Sequence, residues 1–179
     1  MKKYIAFLIL NEVQNRNFIM IGRAYYMFLK AEEVYAKFND ETIEIKIPKK
    51  LLLILLQQVN RHHEILSNEE EVANNFAIRE NINNTEMIMT KLFILMAEPY
   101  KKKEVIFETS IAEFLVLRDL VYCNYSLLHL QTKMKSHILK AYKEFYEYIE
   151  RTYDMLEQDE IKVYWDFIKN YKTKSQIFH

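Results

Sequence analysis

Five histidines, one cysteine and 25 acidic side chains are the groups with which this 179-residue chain could do acid, base, nucleophilic or metal chemistry. The densest cluster is His62-His63-Glu64. Neighbouring side chains on a helix point about 100° apart, so two adjacent histidines do not share a metal without a third element. The run His63-Glu64-Ile65-Leu66-Ser67 also lacks the second histidine of a zinc-protease helix, so the cluster reads as the polar end of a helix. No Glu-x-x-His pair occurs, which removes the ligand pattern of a di-iron carboxylate bundle. Glu32-Glu33, Glu69-Glu70-Glu71 and Asp159-Glu160 read as solvated helix starts and faces. Cys123, among Val121, Tyr122 and Tyr125, has no second cysteine to bridge to and reads as a buried structural thiol. The chain has one glycine, Gly22, where average usage gives roughly a dozen. Phosphate loops, dinucleotide fingerprints and nucleophile elbows need several glycines at fixed offsets and are therefore excluded. No convergent catalytic set emerges, and the expectation is a non-enzymatic protein without a cofactor or a metal.

Whatever the chain does must then lie in its elements and surfaces. Half of its residues are apolar, 14% are aromatic, and 25 basic residues balance 25 acidic ones. With a mean hydropathy of −0.23, this is the composition of a globular chain long enough to bury its own core. Neutral overall charge makes any electrostatic argument local. The apolar run from Tyr4 to Leu10 after Lys2-Lys3 is short for an export signal and meets polar residues from Asn11 to Arg16 without a small-residue cleavage site. No apolar stretch approaches the ~18 residues of a membrane span. A cytoplasmic protein without a membrane partner is expected.

Apolar spacing of three and four predicts helices over most of the chain. A first helix is expected over 17–38, although Phe18 to Ile21 also suits a short strand. Thr42-Ile43-Glu44-Ile45-Lys46-Ile47 alternates as a half-buried strand, with the isoleucines inward. Pro48 then pre-sets a helix to about Asn60, followed by an extended Ile65-Leu66. Ser67-Asn68-Glu69-Glu70 has the form of a capping box, opening a short helix through Val72, Ala73 and Phe76. Asn83 or Asn84 is expected to cap a helix from Thr85 to Ala97, which Pro99 closes. Glu104 to Thr109 reads as a strand, and Thr109 or Ser110 opens a helix with Glu113 in its first turn. A long amphipathic helix is expected from about Leu130 to Leu156, then a last one carrying Val163, Phe167 and Ile168. The fold class is mainly α with two or three short β-strands. It divides into an N-terminal helical segment and strand (1–47), a core (48–109) and C-terminal helices (110–179), forming one compact domain overall.

The order of elements over 48–109 resembles a winged helix-turn-helix domain. The run Val72, Ala73, Phe76 and Ile78 is similar to the first half of that motif, with a small residue where the two helices cross. The resemblance implies a second helix in the major groove, read out by Asn83, Asn84, Thr85 and Lys91, with Arg79 and the wing-tip Lys101, Lys102 and Lys103 on phosphates. Ala77 stands where the motif has a turn glycine, and residues 51–100 carry three basic side chains against seven acidic ones. A duplex repels such a surface unless the wing lysines offset it. With the flanking helices, the architecture is similar to MarR-type dimeric regulators, which implies a homodimer held by the long terminal helices.

Two functional expectations follow. One is a DNA-binding regulator or replication-type initiator acting on double-stranded DNA as a homodimer. The alternative is a helical protein-interaction module, a small regulator or inhibitor with a protein partner and no DNA contact. The C-terminal rings, among them Tyr142, Phe145, Tyr164 and Phe167, suit either a stacking platform for bases or a core.

Overall fold

The computed structural model describes residues 26–27, 29–68, 75–97, 103–128 and 136–170. The alternative strand at 18–21, the acidic run 69–71, Lys101, Lys102 and the first turns of the expected long helix lie outside these residues. The protein is mainly helical with one two-stranded antiparallel sheet. Helix α1 occupies 29–40. Strand β1 (Thr42–Pro48) and a short 3-10 turn (Lys49–Leu51) lead into α2 (Leu52–Ser67). Helix α3 (Phe76–Ala97) precedes β2 (Glu104–Ser110), and α4 (Ile111–Leu128), α5 (Ser136–Asp154) and α6 (Gln158–Asn170) complete the order.

The two strands behave as their alternation requires. Ile45 and Ile47 on β1 and Val105 and Phe107 on β2 are buried, while Glu44, Lys46, Ile106 and Glu108 face out. Ile45 stands opposite Phe107 and Ile47 opposite Val105, so one face of the ribbon is apolar and lies on the core. The backbone amides of Lys49 and Ile111 donate to the carbonyls of Lys103 and Glu41 at 2.9 and 3.1 Å, extending the ribbon at both ends. Its far end runs directly into α4. There the Ser110 hydroxyl accepts from the Glu113 amide at 3.1 Å while the Glu113 carboxylate accepts from the Ser110 amide at 3.2 Å, a reciprocal helix cap.

Helix α4 is the centre of the molecule. Every residue from Ile111 to Leu117 is buried, which is the all-round burial of a helix covered on every side. Against it pack α3, α5 and the sheet, with α1 and α6 joined through ring contacts: Phe38 stacked on Tyr164 at 5.1 Å and Tyr35 tilted against Phe167 at 5.2 Å. One cluster of buried side chains draws on all three sequence segments, from Val34 to Ile168. Tyr142, Phe145, Tyr164 and Phe167 are thus core residues, not a base-stacking platform.

Helix α5 departs from the expected long helix in a way that matters for assembly. Its stripe of Ala141, Tyr142, Phe145 and Ile149 is covered by the protein's own core, and the Tyr142 hydroxyl donates to Gln58 of α2 at 2.9 Å. Arg118 of α4 adds a two-pronged contact to Glu150 at 2.8 and 2.9 Å, with its guanidinium 4.4 Å from the Tyr153 ring centre. An apolar stripe satisfied inside one chain supplies no reason for α5 to seek a symmetry mate, and Met155 and Leu156 lie in the turn beyond it.

Two buried phenols give the protein a pH limit. Burial pushes Tyr142 and Tyr164 well above the ordinary tyrosine range, against the hydrogen bonds to Gln58 and Asn84 that lower them. The folded state therefore holds these protons above pH ~10, where the unfolded chain releases them, and stability falls as pH rises beyond that point. Titration of phenolate absorbance should show these two rings ionising only with cooperative unfolding. Tyr142→Phe should lessen the alkaline loss while costing about 1 kcal/mol at neutral pH for the missing bond.

Candidate functional site

The described residues among those assigned to duplex recognition do not share one surface. The helix expected to begin at Thr85 begins at Phe76, with Asn75 Oδ1 accepting from the Ile78 amide at 3.3 Å. The stretch read as a turn, 77–84, is helical. Asn84 is 6% exposed and hydrogen bonds Tyr164 in the core, and Thr85 is fully buried, its hydroxyl returning to the Asn81 carbonyl at 2.5 Å. Lys91 turns inward to the buried Glu113 carboxylate. Arg79 is half-buried and Asn83 exposed on the first turns of α3, and Lys103 is exposed at the start of β2. Bases cannot be read by Asn84, Thr85 and Lys91 while the polar atoms of these side chains serve the interior.

Other local expectations also change. Ser67 closes α2 instead of opening a helix, and Ile65-Leu66 is helical. The Asn68 side chain donates to the Glu64 carbonyl at 2.8 Å and satisfies that end. Cys123 is exposed, and it shares a small cleft of about 290 Å³ with His62, Asp119 and Trp165. Among the described residues no group of three or more His, Cys, Asp or Glu side chains is placed to hold a metal ion. No described helix is long and apolar enough to cross a membrane.

Two surface features remain that local sequence reading did not assemble. The first is a convergence of lysines. Pairing of Pro48 with Glu104 brings Lys49 and Lys50 beside Lys103, and the three line a cleft of about 560 Å³ with Glu104 and Glu144 at its edge. The second is larger in consequence. Helices α2 and α3 run antiparallel, as His63 Nε2 lies 3.0 Å from Glu86 Oε1 at one end and Leu56 faces Phe93 and Ile94 towards the other. Between them runs a groove of about 500 Å³ whose floor is Leu56, Met89, Phe93 and Ile94. Gln57, Asn60 and Thr90 edge it, and none is charged.

This groove is part of an unusually apolar outer face. Leu53 is 52% exposed, Phe93 66% and Ile94 53%, with Met87 and Met96 also exposed. Large apolar side chains scattered singly are normal on a surface, but a contiguous set around a groove marks a contact site. Its sequence signal is the run Leu51 to Leu56, which is apolar all round the helix. Leu52 and Leu55 fill the core, and Leu53 is left outside. The same excess occurs on α3, where Ile88 and Leu92 face in while Phe93 and Ile94 face out.

Comparison of the chain with known protein families, with curated proteins and with solved structures gives no match.

Proposed function

We propose that this chain is a non-enzymatic protein-interaction module whose contact surface is the outer face of α2 and α3. The observation that carries the reading is the uncharged groove floored by Leu56, Met89, Phe93 and Ile94, bordered by half-exposed Leu53. Apolar side chains around a shallow helical groove, edged by amides and a hydroxyl, suit the apolar face of another helix. A photo-crosslinking amino acid placed at position 93 should capture a protein in cells that make the full chain. The same group at Lys162, exposed on α6, should not. Equal capture at both positions, or at neither, overturns the reading.

A second reading, contact with duplex DNA, is favoured by the convergence of Lys49, Lys50 and Lys103. In that reading the lysines meet phosphates and carry no sequence preference, because phosphate contacts position without specifying. Replacing Lys49, Lys50 and Lys103 with alanine should then weaken binding to any duplex. The slope of log affinity against log salt should fall by up to about 2–3, at roughly 0.9 for each phosphate left without its lysine. A wild-type protein that ignores duplex DNA at low salt ends this second reading and leaves the first untouched.

A further inference from the structure

We infer that the occupant of the α2/α3 face is a second copy of this chain, packed about a two-fold axis so that each α2 runs antiparallel to the α2 of its partner. The inference rests on the interaction-module reading and adds the identity of the partner.

The charge pattern of the face is self-complementary. From Leu51 to Asn60, α2 contains no charged residue, and from Met87 to Ala97 the only charge on α3 is Lys91, which is committed to Glu113. The neutral band is bounded unequally. In the 3-10 turn just before α2 stand Lys49 and Lys50, both exposed, with Lys103 beside them and the Lys50 ammonium donating to the His137 carbonyl of α5 at 3.4 Å. At the other end are exposed Arg61, Glu64 and Glu86, a set of net negative sign, with His63 against Glu86. On a helical projection Leu53, Gln57 and Glu64 share one line along α2, and Lys50 precedes Leu53 by three residues in the 3-10 turn, about 20 Å from Glu64. A parallel second copy would set Lys50 against Lys50 and Glu64 against Glu64. A two-fold axis through the middle of the groove sets Lys50 against Glu64 at both ends and Phe93 and Ile94 against the apolar floor between them.

The dimensions are adequate. An overlap of about 24 Å along two helices each about 10 Å across gives a contact of roughly 500 Å² in projection and more in accessible surface, approaching the ~800 Å² per partner of a stable interface. Gln57, Asn60 and Thr90 would meet across the axis, where amides and a hydroxyl can donate and accept in turn. They would thereby fix the register of a contact that apolar packing alone leaves free to slide. Four helices would be enclosed, two from each copy, and α5 and α6 would remain on the outside of the assembly.

Sedimentation of the full chain between about 1 and 200 μM tests this, with a dimer of twice the 21.8 kDa chain mass expected. Phe93→Glu should give a monomer with unchanged helical circular dichroism, since Phe93 lies outside the core, and with a melting temperature that no longer rises with protein concentration. Lys50→Glu should weaken the dimer about tenfold, because the two-fold axis counts each reversal twice. Adding Glu64→Lys to Lys50→Glu should restore it. A wild-type monomer throughout the range, a dimer indifferent to Phe93→Glu, or a charge reversal that the second substitution does not repair each overturns the proposal. The crosslink at position 93 separates this failure from failure of the interaction reading: an adduct of other mass retains the surface and changes its occupant, and a protein without any adduct loses both.

Discussion

Ile45→Asp should cost the protein on the order of 4 kcal/mol, a large share of its stability. Ile45 is fully buried at the centre of β1, opposite Phe107 and pointed at the core. The substitution removes a buried aliphatic side chain and leaves a carboxylate with no partner, and the two costs add. A domain of this size has only about 5–15 kcal/mol in hand. Urea denaturation followed by circular dichroism measures the loss. The solvent face of the same ribbon gives the control, for there Glu44 stands directly opposite Glu108, both exposed. Glu108→Lys should stabilise the protein by a few tenths of a kcal/mol by converting a like pair into an opposite one. An Ile45→Asp variant as stable as the wild type would mean that the ribbon faces the other way.

Glu113→Ala should cost about 3 kcal/mol, more than any other single removal of a polar side chain in the described core. Its buried carboxylate accepts from the Ser110 amide, from the Thr109 hydroxyl at 2.7 Å and from Lys91 of α3. Removal takes away the cap of the central helix, worth about 1 kcal/mol, and strands the partly buried Lys91 ammonium. Lys91→Met in the Glu113→Ala background should recover part of the loss, because the stranded charge goes with it. If Glu113→Ala unfolds at the wild-type urea concentration, the cap does not hold α4 to the sheet.

The same cap shows what could be read in the sequence and what could not. Ser67-Asn68-Glu69-Glu70 and Ser110-Ile111-Ala112-Glu113 carry the same spacing of hydroxyl and carboxylate. Only the second is a cap, because a strand ends at Ser110 and frees its amides, whereas Ser67 continues a helix whose amides are already bonded. The alternation of β1 and the apolar density of α4 were legible because each is decided by burial on one side or on all sides. The Asn81 to Asn84 stretch was not, since asparagines favour turns only when their side chains bond locally, and Asn84 bonds Tyr164 instead, on a helix eighty residues away in the chain. The continuous spacing of Ile78, Asn81, Thr85, Ile88 and Leu92 is the signal that the helix runs on. The candidate face was hidden for the opposite reason: its apolar residues look like core until the real core is filled by their neighbours at Leu52, Leu55, Ile88 and Leu92.

The strand pairing sets an order of events. Pro48 pairs with Glu104 and Thr42 with Ser110, so no rung of the ribbon closes over fewer than about 55 residues. The antiparallel α2 and α3 pair lies wholly within that span and is built from residues nearer in sequence. Loop-closure entropy therefore favours the inner pair as the early structure and the ribbon as the late one. During synthesis the apolar outer face of α2 and α3 emerges before β2 exists to seal the core. The period between those two events is when a nascent chain is most exposed to chaperones and to its neighbours on the same message.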